Sequence, residues 1–123
     1  MCTILMDCLT VVLDGRVMVV DWIGSCVHIF SEDGDYLDKF KLQGSQDSCR
    51  IAFHQSSEHV VITGEKEELV VVVEIFTKGG EFVRSFQIHG ERVNWITGMT
   101  VTRDGRIAVL LQDIGNAWKV LVI

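Results

Sequence analysis

The chain has no proline, one tyrosine and, among its four cysteines, no Cys-x-x-Cys pair. Without proline, glycine must supply most of the breaks between elements. Cys2, Cys8, Cys26 and Cys49 all lie in the first half, at spacings that match neither a zinc ribbon nor a disulfide framework. Reduced thiols in a cytoplasmic protein are the expectation. No Asn-x-Ser/Thr sequon is present. No apolar run approaches the ~20 residues that span a bilayer. The apolar opening, Met1–Leu13, has no basic stretch before it and is broken by Asp7, so neither a signal peptide nor a membrane partner is expected. Basic residues are scarce: 11 Lys and Arg face 17 Asp and Glu, for a net charge of −6. That balance disfavours a nucleic-acid backbone, whose affinity rests on Lys and Arg neutralising phosphates. Gly-x-Ser-x-Gly, phosphate-loop and His-Glu-x-x-His patterns are all missing.

What the chain does have is 48% hydrophobic residues, arranged in short Val- and Ile-rich runs. Asp-Gly, Gly-Asp, Gly-Gly and Ser-Ser steps separate them, and no helical stripe is sustained. This punctuation predicts an all-β protein of eleven short strands joined as hairpins, among them Arg50–His54, His59–Thr63 and Gly98–Thr102.

The strands repeat. Leu9-Thr-Val-Val-Leu-Asp-Gly-Arg-Val17 returns as Met99-Thr-Val-Thr-Arg-Asp-Gly-Arg-Ile107, 90 residues later. Phe30, Gly34, Tyr36 and Phe40 return as Phe76, Gly80, Phe82 and Phe86, 46 residues later. Two steps of about 45 residues explain both, giving units near 7–46, 47–92 and 93–123. The middle unit carries Ser56-Ser57-Glu58 where its neighbours carry Asp-Gly. Each complete unit reads as a four-stranded antiparallel sheet, the size of one propeller blade. A sheet apolar on both faces, as Val70–Val73 implies, must be covered on both sides. The pairs Tyr36/Phe40 and Phe82/Phe86 are each expected on a single sheet face, at contacts between blades.

The register Asp14-Gly15-Arg16-Val17, Val19, Asp21, then Val27, Ile29-Phe30, Gly34, Tyr36 and Phe40 resembles the NHL repeat of β-propellers. Unit two keeps Val73, Ile75-Phe76, Gly80, Phe82 and Phe86; unit three keeps Asp104-Gly105-Arg106-Ile107, Asp113 and Asn116. Gly24 stands where the family has Asn and Cys26 where it has Arg, so the Asp–Arg clasp of that turn is missing. The resemblance implies a partial NHL-like β-propeller of about 2.75 blades, similar to the C-terminal propeller of tripartite-motif proteins. There such a module recognises substrates for a RING ubiquitin ligase, and no RING pattern occurs in this chain. Closed propellers need roughly 4–8 blades, so the remaining blades are expected from a longer protein or from self-association, the alternative being a different β arrangement such as a compact sandwich.

In an NHL-like blade the turns between second and third strands share one face with the connections between blades. Here those segments, 21–25, 43–48, 64–68, 89–94 and 112–117, carry charges of −1, −1, −2, 0 and −1. A protein partner of basic or mixed surface fits that face better than RNA does. Trp22 and Ile23 at one turn tip, Lys66 in the acidic turn 65–68, and Arg92 and Asn94 on the connection into unit three are the candidate contacts. Cys26, His28 and Phe30 alternate on one strand face, making a Cys–His pair possible, but a packed histidine is the simpler expectation. Neither a metal nor a cofactor is expected. The competing enzymatic reading, a metal-dependent propeller hydrolase or lyase, would have only Thr10, His54 and Thr100 on the inner strands to work with.

Overall fold

The computed structural model describes residues 9–11, 14–21, 23–44, 47–67, 70–89, 93–113 and 117–123. Every regular element among them is a strand. These are β1 (Leu9–Val11), β2 (Val17–Asp21), β3 (Cys26–Phe30), β4 (Tyr36–Lys41), β5 (Asp47–His54), β6 (His59–Glu67), β7 (Val70–Thr77), β8 (Phe82–His89), β9 (Val93–Val101), β10 (Ile107–Asp113) and β11 (Trp118–Val122). They form three antiparallel sheets in chain order: sheet 1 is β1-β2-β3-β4, sheet 2 is β5-β6-β7-β8, and sheet 3 is β9-β10-β11. Among the described residues no helix is long and apolar enough to cross a membrane.

Three hairpin turns share one construction. Ser31–Asp35, Thr77–Glu81 and Thr102–Arg106 each close with a backbone N–H from the first residue to the carbonyl of the fifth, at 2.8, 2.8 and 2.7 Å. The fourth position is Gly34, Gly80 or Gly105, each at φ +90. That left-handed backbone costs glycine little and other residues more. The hydroxyl of the first residue accepts the fifth residue's N–H, from Asp35 and Glu81 at 3.1 Å and from Arg106 at 2.9 Å. The β5–β6 turn, which lacks this glycine, spends one more residue: 55–58 bridge His54 and His59, and Glu58 takes the left-handed position at φ 57.

The sheets stack face to face around two separate cores. Met18, Val20, Val27, Ile29 and Leu42 of the first unit pack on Ile51, Val60, Ile62 and Phe76 of sheet 2. On the other face of sheet 2, Val61, Val71, Val73 and Ile75 pack on Ile107, Val109 and Leu111 of sheet 3. Sheet 2 is thus covered on both sides, and β7 is buried from Val70 through Phe76. The sheets approach one another through their first strands, β1 to β5 and β5 to β9, with β2 and β6 joining in. The arrangement is blade-like.

Three strands are longer than the apolar runs predict. β5 begins at Asp47 instead of Arg50, β6 runs to Glu67 instead of Thr63, and β9 begins at Val93 instead of Gly98. Ladder hydrogen bonds join backbone groups, so a partnered strand continues through polar residues. Register shifts at Asp47/Arg50, Glu65/Glu67, Leu110/Leu111 and Gln112/Asp113 absorb the breaks in alternation. The predicted turn 65–68 is therefore strand through Glu67.

The aromatic pairs are also corrected. A register shift at Ile29/Phe30 pairs Tyr36 with Phe30, while Phe40 pairs with Val27. The same shift at Ile75/Phe76 pairs Phe82 with Phe76, while Phe86 pairs with Val73. One extra residue reverses the parity of a strand. Phe40 and Tyr36 accordingly lie on opposite faces of sheet 1, as do Phe86 and Phe82 on sheet 2. Phe40 packs in the first core and Phe86 in the second. Tyr36 is 53% and Phe82 43% exposed.

Candidate functional site

Antiparallel meanders place the β2–β3, β6–β7 and β10–β11 turns at the same end of their sheets as the connections β4–β5 and β8–β9. A direct bond ties two of these segments together, since Leu42 N–H donates to Ser25 O at 2.9 Å. Ile23 stands at this end, in the β2–β3 turn, with 62% of its surface exposed. Trp22 and Arg92 lie outside the described residues. Lys66 is in strand β6 and Asn94 in strand β9, not in connecting segments, and their side chains are outside what is described. Of the five candidate contacts, the structure thus places Ile23 on an exposed turn and moves Lys66 and Asn94 into strands.

Directly beneath that turn, β2 and β3 bring three donor groups together. Asp21 is the last residue of β2 and pairs with Cys26, the first of β3. Val27 and Ile29 point into the core against sheet 2, so Cys26 and His28 project from the opposite face. His28 Nε2 lies 3.2 Å from Asp21 Oδ2 and 3.5 Å from Cys26 Sγ. The three donor atoms all fall within 4.8 Å of one another. Cys26 is buried, and the side chains of His28 and Asp21 are 20% and 24% exposed.

A second layer of contacts holds these groups in place. Gly24 N–H donates to Asp21 Oδ1 at 3.0 Å, and Tyr36 Oη lies 3.2 Å from His28 Nδ1. A Cβ on Gly24 would sit 2.7 Å from Asp21 Oδ2, so only glycine admits the carboxylate this closely. The Gly24 N–H, followed by the His28 contact, holds the Asp21 carboxyl below its ordinary range. Burial, reinforced by the Asp21 charge, pushes the Cys26 thiol up.

This geometry does not make a nucleophilic triad. In such a triad the histidine uses one ring nitrogen toward the nucleophile and the other toward the carboxylate. Here Nε2 faces both the thiol and the carboxylate, while Nδ1 goes to Tyr36. A raised thiol pKa also works against thiolate reactivity. The arrangement instead fastens the β2–β3 turn: Asp21 ties it through Gly24 and pairs with His28. The Cys26–His28 alternation was visible in the sequence. The third member, Asp21, and the fourth contact, Tyr36, depend on strand register and on a bulge.

Of the inner-strand residues in the enzymatic reading, His54 and Thr100 have described side chains. His54 Nδ1 is 2.7 Å from Ser57 Oγ at the opposite end of sheet 2, and Thr100 is exposed in β9. Thr10 belongs to β1, and its side chain is outside the described residues. No protein-family model and no curated protein matches the chain.

Proposed function

We propose that this chain is a non-catalytic protein-interaction module, part of an NHL-type β-propeller, and that it recognises its partner through the end carrying the β2–β3 turn. The supporting observation is Ile23, a large apolar side chain held out at the tip of a turn whose base is fixed by Asp21, Gly24 and His28. A few anchors that become fully desolvated on binding carry most of an interface's energy, and a large apolar side chain held out on a fixed turn is placed to be one. The neutral-to-acidic connecting segments favour a basic or mixed protein surface over RNA. In the tripartite-motif setting such a module selects substrates, and ligase chemistry would reside in a RING outside these residues.

A peptide-display selection against the whole chain tests the reading. Selected basic, aromatic-containing peptides should bind Ile23→Asp at least tenfold more weakly than wild type. Lys78→Ala, at the opposite end of sheet 2, should leave them unchanged. Equal binding to wild type and Ile23→Asp contradicts the proposal, as does a salt-sensitive complex with single-stranded RNA at physiological ionic strength.

A further inference from the structure

The space between Asp21 Oδ2, His28 Nε2 and Cys26 Sγ is one that a cation is suited to fill. An ionised carboxylate only accepts hydrogen bonds, and the ring nitrogen facing it must either carry a proton or present its lone pair to something positive. We propose that Asp21, Cys26 and His28 form a binding site for a divalent transition-metal ion of the zinc type, with one coordination position left open.

The donor set is one that zinc uses: thiolate, imidazole and carboxylate. Bond lengths of about 2.0–2.3 Å in a tetrahedron separate such donors by roughly 3.3–3.6 Å. The 3.2 Å between oxygen and nitrogen and the 3.5 Å between sulfur and nitrogen are close to that spacing. The surrounding contacts also suit a metal. A ligating histidine commonly donates its other ring N–H to an oxygen, and the tautomer with Nδ1–H directed at Tyr36 Oη leaves the Nε2 lone pair for the ion. Gly24 occupies the second carboxylate oxygen, Oδ1, leaving Oδ2 for the site. On binding, the Cys26 S–H proton and any proton on His28 Nε2 pass to solvent as the ion takes their place. All three ligands sit on the face of sheet 1 turned away from sheet 2, at the foot of the turn that carries Ile23. The open position lies on that face, where water or a donor from a partner can complete the shell.

Cobalt(II) is the probe, because its bond to thiolate gives a charge-transfer absorption. The full chain titrated with cobalt should show that band saturating at one ion per chain, and zinc should displace it. Replacing Cys2, Cys8 and Cys49 together by Ser should preserve the band, and Cys26→Ser should abolish it. Asp21→Asn, which retains an oxygen for Gly24, should weaken affinity at least tenfold and keeps the test open if Cys26→Ser fails to fold. Tyr36→Phe should lower affinity by about 10–100-fold, as loss of an outer contact does. A band that survives Cys26→Ser, or vanishes in the Cys2/Cys8/Cys49 variant while unfolding stability is unchanged, overturns the proposal. So does cobalt affinity that is equal in wild type and Asp21→Asn.

Discussion

Glu74 Oε1 accepts a hydrogen bond of 2.7 Å from the backbone N–H of Gln43, joining the third strand of sheet 2 to the segment that leaves sheet 1. Glu74 is only 1% exposed and sits in the middle of a valine-rich strand, between Val73 and Ile75. Its face is the one toward sheet 1, alongside Phe76. A buried carboxylate therefore fastens one sheet to the next where apolar packing alone would not set their relative position.

Glu74→Ala removes that acceptor and strands a backbone N–H. It should cost about 2–3 kcal/mol in urea unfolding at neutral pH. Glu74→Gln retains a carbonyl oxygen and should cost about 1 kcal/mol.

Phe76 and Phe86 belong to different cores. Phe76 is 1% exposed, with the Phe40 ring 4.9 Å and the Phe82 ring 5.7 Å from its own. Phe76→Ala should cost about 3–5 kcal/mol. Phe86 is half-buried against the sheet 2–sheet 3 core, so Phe86→Ala should cost roughly half as much. Equal losses in thermal or urea unfolding would contradict this difference in burial.

Gly80→Ala combines two penalties. The backbone is at φ +90, and the added Cβ would lie 2.7 Å from Phe40 Cδ2 across the contact between sheets. The expected loss is about 2 kcal/mol or more. Gly34→Ala, at the same φ but with nothing within 4 Å of the new atom, should lose less. The difference, read from urea midpoints, isolates the contact between sheets from the turn itself.

Acid sensitivity follows from Asp21. The Gly24 N–H, then His28, lowers its folded pKa below the unfolded value, so on acidification the unfolded chain takes up the proton first. This contribution is complete above about pH 4 and is lost as the pH falls through the folded pKa. Asp14 and Asp104 are lowered in the same direction by their bonds to Arg16 and Thr102, so some acid sensitivity remains without Asp21. Asp21→Asn should be less stable than wild type at neutral pH and lose less on acidification below pH 4. Parallel pH–stability curves would contradict this.

The strand-and-turn order was legible because turn chemistry is local. Asp14-Gly15, Asp33-Gly34 and Gly79-Gly80 mark breaks that the backbone requires, and alternation marks strands between them. What escaped was whatever depends on pairing. The bulges that put Tyr36 and Phe82 on faces opposite to Phe40 and Phe86 leave no mark in residue spacing, and the strand reach of Gly64–Glu67 is imposed by β7. Cys26 and His28 could be placed on one face from their spacing. Asp21 joins them only because a four-residue turn closes β2 on β3 in the register that sets Asp21 opposite Cys26. Glu74 interrupts an apolar run, which marked it as unusual but did not reveal its partner 31 residues away.

Native-state hydrogen exchange tests the stacked arrangement most directly, because β7 lies inside its sheet and is covered on both faces. The amides of Val71–Ile75 should exchange slowest of the chain, well behind those of the edge strands β4 and β11, whose residues are mostly exposed. Protection in β7 no greater than in β4 and β11 would contradict a sheet enclosed between two others, and with it the platform proposed to carry a recognition surface.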